Sequence, residues 1–331
     1  MRRFLALLLL LGLALGAPEA QLAQEALEAW LKGELSPTLK ELLQAPPEEA
    51  PKLLKRYAQF PPPPPGLEVN RAQPRVEGNR VYFPAARGGE VGVVLEGGRA
   101  VRVFYRPEGV GPPAYLFTPA AGWGFLLLSL FWASLLRQPG PFRAAFLEAL
   151  ALLREKRGLY LVTNALLYSL FTLGALLAYA LPEVARGVQA LLGGTLEALG
   201  LDRAMEAGVM ALAGVIFSWN LTQGLFLTGL LPALLLGLPV LLLNALRYFL
   251  FGFALSPALL GPLFLLHLPT LLLELQAYIL VTFGGLSLLA RLAGREGYRR
   301  GLRDLLLAFY LGVFFLLLAA WYEAFEVVFL L

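Results

Sequence analysis

The sequence predicts an all-α polytopic membrane bundle of about six transmembrane helices with a small N-terminal extracytoplasmic α+β domain. Of its 331 residues, 58% are hydrophobic and only 15% are charged, and the mean hydropathy is +0.67. Soluble domains carry about one-quarter charged residues. The apolar residues also form runs long enough to cross a bilayer, for which about 20 helical residues suffice. Both observations argue against a water-soluble fold.

The N-terminus has the pattern of a secretory signal peptide. Residues 1–3 carry two arginines, residues 4–15 form an apolar stretch, and small residues follow. We take the first 17 residues as the signal, with cleavage after Ala17. Cleavage after Gly16 or Ala20 and an uncleaved anchor are the alternatives. In each case the segment that follows is exported.

Residues 18–118 are predicted to form the extracytoplasmic domain. Residues 19–45 place apolar side chains at helical spacing, which indicates an amphipathic helix or a helical pair. The Pro61–Pro65 run lacks backbone donors and predicts a polyproline II spacer, with a recognition motif as the alternative. From Arg75 onward, β-branched and aromatic runs flank a Glu-Gly-Gly-Arg turn, which predicts a β-hairpin within a three- or four-stranded minidomain.

The remaining apolar runs predict six spans and their orientation. Two loops are rich in arginine, 137–157 and 291–303, and the positive-inside rule places both in the cytoplasm. The acidic loop 182–207 then lies outside, so the stretch from 207 to 291 makes an odd number of crossings, and its length fits three. We expect spans near 120–137, 158–181, 207–231, 238–260, 265–290 and 305–327. This topology puts the C-terminus and the exported N-terminal domain on the same extracytoplasmic side of a cytoplasmic membrane.

Charge and composition exclude several functions. The net charge of +4 is explained by cytoplasmic loops, so no nucleic-acid partner is expected. The chain has no cysteine, which excludes disulfides, thiolate metal sites and thiol nucleophiles. No phosphate loop, serine-hydrolase elbow or zinc-protease motif occurs. We therefore predict a non-enzyme without catalytic residues, cofactor or metal, whose partners are the bilayer and extracytoplasmic proteins; a homo-oligomer is also compatible.

Several polar residues interrupt the apolar runs, where they are costly and usually face the bundle interior or a wet cavity. Arg247 and Glu274 lie about nine or ten residues into neighbouring antiparallel helices, so both fall near the midplane. A salt bridge between them is the structural interpretation, and a transport or proton-handling role is the alternative. The predicted membrane-embedded polar cluster comprises Asn244, Arg247, His267, Thr270, Glu274 and Glu323.

Three segments of the C-terminal half carry a family resemblance. They are the span with Asn244 and Gly252, the segment Leu-Pro-Thr-Leu-Leu-Leu-Glu-Leu-Gln-Ala at 268–277 with Gly-Gly-Leu at 284–286, and Leu-Ala-Ala-Trp-Tyr-Glu-Ala-Phe at 318–325. On these segments, residues 158–331 resemble the stage II sporulation protein M family as a five-span membrane domain. Residues 1–157 lie outside the resemblance. They comprise the signal peptide, the extracytoplasmic domain at 18–118, the first span at 119–137 and the cytoplasmic amphipathic loop at 138–157. Thr270 and Leu271 depart from the His-Gly that the family usually shows.

The resemblance implies a scaffold that recruits or regulates cell-wall-remodelling enzymes. Our first hypothesis is accordingly a non-enzymatic membrane scaffold, in which Glu274 and Glu323 fix helix packing. The second is a transporter or permease subunit that uses Arg247 and Glu274 at a midplane site among Pro-broken spans.

Overall fold

A computed structural model describes residues 19–198 and 207–330. The predicted signal peptide therefore lies outside the described residues. The described chain divides into two compact units. The first contains residues 19–111 and 183–198, and the second contains 112–182 and 207–330.

The first unit combines four helices with one antiparallel sheet. Its helices are α1 (19–31), α2 (Leu39–Gln44), α3 (Ala50–Gln59) and α7 (Pro182–Ala198). Its strands are β1 (Arg75–Glu77), β2 (Arg80–Pro84), β3 (Glu90–Glu96) and β4 (Arg99–Arg106), in the order β1-β2-β3-β4. The predicted hairpin is the β3–β4 pair, whose turn residues Gly97 and Gly98 have φ values of +56° and +76°. These left-handed angles favour glycine.

One face of the sheet packs against α1. Alternation along β2 directs Val81 and Phe83 into a core that α1 closes with Leu27 and Trp30, while Tyr82 is buried in a separate cluster with Phe104. The Trp30 indole N–H donates a hydrogen bond of 2.6 Å to the Pro61 carbonyl. The unit thus has its own hydrophobic core, and the proline run is attached to that core at its first residue.

Helix α7 was not predicted, because the acidic residues of 182–207 indicated an extracytoplasmic loop. Its residues belong with the first unit rather than with the membrane helices on either side. A Cβ at Gly187 would overlap the Leu54 side chain of α3, and one at Gly194 would lie 3.4 Å from the Ala58 carbonyl oxygen. Helix α7 therefore packs closely on α3 through glycines, and the segment 158–331 is interrupted by part of another unit.

The second unit contains six helices that are long and apolar enough to cross a membrane: Pro119–Arg137, Arg157–Ala180, Val209–Ala233, Leu238–Leu260, Leu263–Ala293 and Tyr298–Phe329. This confirms the prediction of a multi-pass helical membrane protein. The elements are α4 (Pro119–Arg137), α5 (Pro141–Glu155), α6 (Arg157–Ala180), α8 (Val209–Trp219), α9 (Leu231–Ala233), α10 (Leu238–Ala254), α11 (Pro257–Leu260), α12 (Leu263–Ala293) and α13 (Tyr298–Phe329).

Between α8 and α9 the third span is a π-helix over Asn220–Leu230. The Thr228 hydroxyl donates to the carbonyls of Gln223 and Gly224 at 2.9 and 2.7 Å. The span ends in a turn at Leu236 and Gly237, both with positive φ, close to the predicted break. The connection predicted between the spans 238–260 and 265–290 is shorter than expected, since α12 already begins at Leu263 and contains Pro269.

Helix α12 is the centre of this unit, and residues 277–285 are all buried. Small residues let its neighbours approach closely. A Cβ at Gly252 of α10 would overlap the Phe171 carbonyl of α6, and a Cβ at Gly174 of α6 would overlap the Phe249 carbonyl of α10. These two contacts are reciprocal, and they bring the backbones of α6 and α10 together beside α12.

Candidate functional site

Two hydrogen-bonded groups of polar side chains, with Glu323 near both, lie in the apolar interior of the second unit. Helix α12 contributes five of them at spacings of three or four residues, which places them on one face. The first and last of them are 15 residue steps apart, about 22 Å at 1.5 Å per step, against about 30 Å of hydrocarbon. We call the set the polar track: His267, Thr270, Glu274, Tyr278 and Thr282 of α12, Asn244 and Arg247 of α10, Glu323 and Glu326 of α13, and Thr228 of the π-helix.

At one end of the track, Arg247 is held by neutral groups. Its guanidinium donates to Asn244 Oδ1 at 2.6 Å and to Thr228 Oγ1 at 2.5 Å. It also lies 4.1 Å from the centroid of the Tyr278 ring, within the range of a cation–π interaction. The buried Asn244 amide in turn donates to Thr282 Oγ1 at 2.7 Å and to the Tyr278 carbonyl at 3.3 Å. These bonds fix the guanidinium against α12 and the π-helix.

The predicted salt bridge between Arg247 and Glu274 does not form. The Tyr278 hydroxyl instead donates a hydrogen bond of 2.9 Å to Glu274 Oε1, while its ring lies under the guanidinium. Arg247 and His267 are both close enough to Glu274 to interact with it electrostatically. Tyr278 occupies the space between the two charges.

At the other end, His267, Thr270 and Glu326 form a hydrogen-bonded group. His267 Nδ1 lies 3.0 and 3.2 Å from the two Glu326 carboxylate oxygens, and the Thr270 hydroxyl donates to Oε2 at 3.1 Å. Glu326 is only 1% exposed, whereas the His267 side chain is 22% exposed. This group thus connects a buried carboxylate to a partly accessible imidazole.

Glu323 lies between these two ends and is the unusual member of the track. Its Oε2 atom is buried and has no hydrogen-bond partner within the described part of the chain. Both Glu274 and Glu326 are near enough to repel it electrostatically. Buried polar atoms are nearly always satisfied, so an unpaired buried carboxylate oxygen requires an explanation.

The structure brings all six sequence-predicted residues into the track. Sequence reasoning missed Tyr278, Thr282, Thr228 and Glu326. Glu326 had a detectable signal, because it lies three residues after Glu323 and so on the same helix face. Within residues 19–198 and 207–330, no three His, Asp or Glu side chains converge closely enough to hold a metal ion.

Comparison of this chain with protein-family models, with curated proteins and with solved structures found no match. The resemblance to the stage II sporulation protein M family therefore stays a prediction made from motifs. Function must be argued from the geometry of the polar track and of the first unit.

Proposed function

We propose that the chain is a membrane transport subunit whose polar track binds and passes a proton. The observation that carries this proposal is the buried, unpartnered carboxylate oxygen of Glu323 beside Glu274 and Glu326. A residue kept only for helix packing gains nothing from an unsatisfied charged oxygen in an apolar bundle. A carboxyl group that alternately takes up and releases a cation needs such a free oxygen.

The charge balance of the track supports a cationic ligand. Three carboxyl groups are opposed by the guanidinium of Arg247 and the imidazole of His267. With every carboxyl ionised, the group would remain negative even with His267 protonated. Burying uncompensated charge in a low dielectric is costly. A proton on one carboxyl would relieve this cost, and Glu323 is the member with an unpartnered oxygen.

The π-helix supports movement at the same place. Short π-helical turns inside α-helices occur frequently at functional sites, and this segment of 11 residues is longer than a single such turn. Here Thr228 is a π-helical residue that both donates to the carbonyls of its own helix and accepts from Arg247. A change of hydrogen-bond register in this segment would move Thr228 and release the guanidinium, which couples the span to the track.

The proposal is tested with purified protein in liposomes that contain a pH-sensitive dye. When a potassium diffusion potential is imposed, we expect faster proton uptake than in empty liposomes. Glu323→Gln should abolish the difference, whereas the matched control Glu296→Gln, in the turn between α12 and α13, should retain it. Uptake by Glu323→Gln at the wild-type rate would contradict the proposal.

The proposed setting is the cytoplasmic membrane, with the two Arg-rich loops inside and the first unit outside. Because the natural chain has no cysteine, single-cysteine variants can be labelled without background. With a membrane-impermeant maleimide on intact cells, Ser36→Cys should react and Arg299→Cys should react only after permeabilisation. The reverse pattern would contradict this orientation.

A scaffold function is the second candidate, and the independent core of the first unit favours it. A unit with its own sheet and its own buried Trp30 can present a stable surface to an exported partner. A stoichiometric exported protein that co-purifies in mild detergent, and is lost when residues 19–111 are deleted, would support this function. Glu323→Gln should leave such a complex unchanged.

A further inference from the structure

The end of the second unit that carries the turn between α12 and α13 contains two classes of basic side chains. The first class is fully ion-paired. Asp304 is 6% exposed and accepts from Arg291 Nε at 3.0 Å and from the Ser287 hydroxyl at 2.6 Å, with Lys156 Nζ at 3.4 Å. Arg291 also bonds Glu296 and Glu155 at 2.6 and 2.8 Å.

Two exposed arginines complete the paired class. Arg300 lies 3.3 Å from Glu296, and Arg303 lies 2.5 Å from Glu148. Every carboxylate of the stretches 137–157 and 291–304 is consequently already engaged by a base: Glu148, Glu155, Glu296 and Asp304. These pairs also tie α5 and the start of α6 to the turn between α12 and α13, so all these segments share one end of the unit.

The second class consists of six exposed arginines that have no carboxylate partner among the described residues. They are Arg137, Arg143, Arg154, Arg157, Arg295 and Arg299. Arg143 Nη1 lies 3.4 Å from the Arg137 carbonyl oxygen, which keeps these two neighbours together at the end of α4. This end of the unit therefore has a surplus of exposed positive charge and no free carboxylate to balance it.

Exposed apolar side chains stand beside these arginines. One face of α5 is buried, with Ala149 and Leu152 packed against α12 and α13. Leu147, on the face of α5 that carries Arg143 and Arg154, is 52% exposed, and Phe142 in the first turn is 47% exposed. A helix with apolar and arginine side chains on its outer surface fits the boundary between headgroups and acyl chains.

We propose that this surface, formed by α5 and the six unpaired arginines, is a binding site for the phosphate headgroups of anionic phospholipids. Guanidinium groups match phosphate with paired hydrogen bonds, which ammonium groups do not. Phe142 and Leu147 would lie among the upper parts of the acyl chains. The apolar side chains favour a lipid over a free phosphate ion, since only the lipid offers a hydrocarbon partner. The site is independent of the polar track.

The test measures binding of short-chain phosphatidylglycerol and phosphatidylcholine to the detergent-purified protein by native mass spectrometry. We expect a clear preference for phosphatidylglycerol. Each arginine removed should weaken that binding about fivefold, so Arg143→Gln combined with Arg154→Gln should lose about 25-fold. Arg300→Gln is the matched control, because it removes an exposed arginine that is already paired with Glu296.

The proposal would be overturned by equal binding of the two lipids, by unchanged affinity in the double variant, or by a comparable loss in Arg300→Gln. Inorganic phosphate distinguishes the source of the ligand, and its displacement of phosphatidylglycerol at similar concentration would also overturn it. If the first double variant fails to fold, Arg295→Gln with Arg299→Gln applies the same test from the turn between α12 and α13.

Discussion

A hydrogen bond of 2.9 Å joins the Tyr278 hydroxyl to Glu274 Oε1, one helical turn earlier on α12. Because the same ring lies 4.1 Å from the Arg247 guanidinium, Tyr278 separates an acid from a base that would otherwise neutralise each other. A direct ion pair would hold both charges in one state. The tyrosine instead bonds the carboxyl group through its hydroxyl and stabilises the guanidinium through its ring.

Tyr278→Phe should therefore alter proton uptake more than it alters the fold. The phenyl ring keeps the contact with Arg247, but Glu274 loses its donor, for which we expect a cost of about 1–3 kcal/mol in the free energy of unfolding. Proton uptake in liposomes should fall, because Glu274 can then turn towards Arg247. Tyr298→Phe, at the exposed start of α13, is the control and should match wild type in both measurements. An unchanged uptake rate in Tyr278→Phe would remove Tyr278 from the proposed pathway.

The six spans could be predicted because each is a long apolar run, and hydropathy depends only on local composition. The ion pair was mispredicted for a geometric reason. Counting residues from helix ends gives the depth of Arg247 and Glu274, but it does not show which side chain lies between them. In the sequence, Tyr278 is one aromatic residue within a long apolar run. Its position between Arg247 and Glu274 depends on the rotation of α10 relative to α12, which the sequence does not show.

Helix α7 and the π-helix could not be predicted from local patterns either. Helix α7 packs through Gly187 on Leu54, which is far away in the sequence. A contact between such distant residues cannot be predicted from the local pattern around either of them. The π-helix differs from an α-helix by its hydrogen-bond register and not by its apolar content. Its Thr228 bonds belong to the folded state alone.

The close approach of α6 and α10 predicts the effect of a methyl group at Gly252. Gly252→Ala would force its Cβ against the Phe171 carbonyl, and overpacking of this kind costs about 1–3 kcal/mol. We expect a lower midpoint in thermal denaturation of the detergent-purified protein. Gly124→Ala in α4 is the matched control, since its Cβ would meet nothing within 4 Å. A helix-interior alanine there should be neutral or stabilising, and equal losses at the two sites would refute the packing argument.

Acid should weaken the turn between α12 and α13. The hydrogen bond from Arg291, aided by Arg300, holds the pKa of Glu296 below its usual value of 4.5. A carboxyl whose pKa is lowered on folding stabilises the protein above the unfolded pKa, and that contribution is lost as pH falls through the folded pKa. Wild type should therefore be more stable than Glu296→Gln at neutral pH. The difference should shrink progressively below about pH 4.5.

Thermal denaturation of the two proteins from neutral pH to about pH 3 measures this difference directly. Other carboxyl groups titrate in both proteins, so only the gap between the curves reports Glu296. A gap that widens on acidification would show that the sign of the linkage is wrong.

Asp304 predicts the largest loss of stability outside the polar track. It is nearly buried and engages Arg291, Lys156 and Ser287 at once, so Asp304→Asn leaves two bases without their shared carboxylate. Breaking a buried ion pair by removing one partner costs about 3–5 kcal/mol, whereas an exposed pair is worth about 0–1 kcal/mol. Arg300→Gln, which breaks only the exposed pair with Glu296, is therefore the natural comparison. The denaturation midpoint should fall far more for Asp304→Asn than for Arg300→Gln. Similar midpoints for the two variants would mean that water, rather than Asp304, compensates the charges of Arg291 and Lys156.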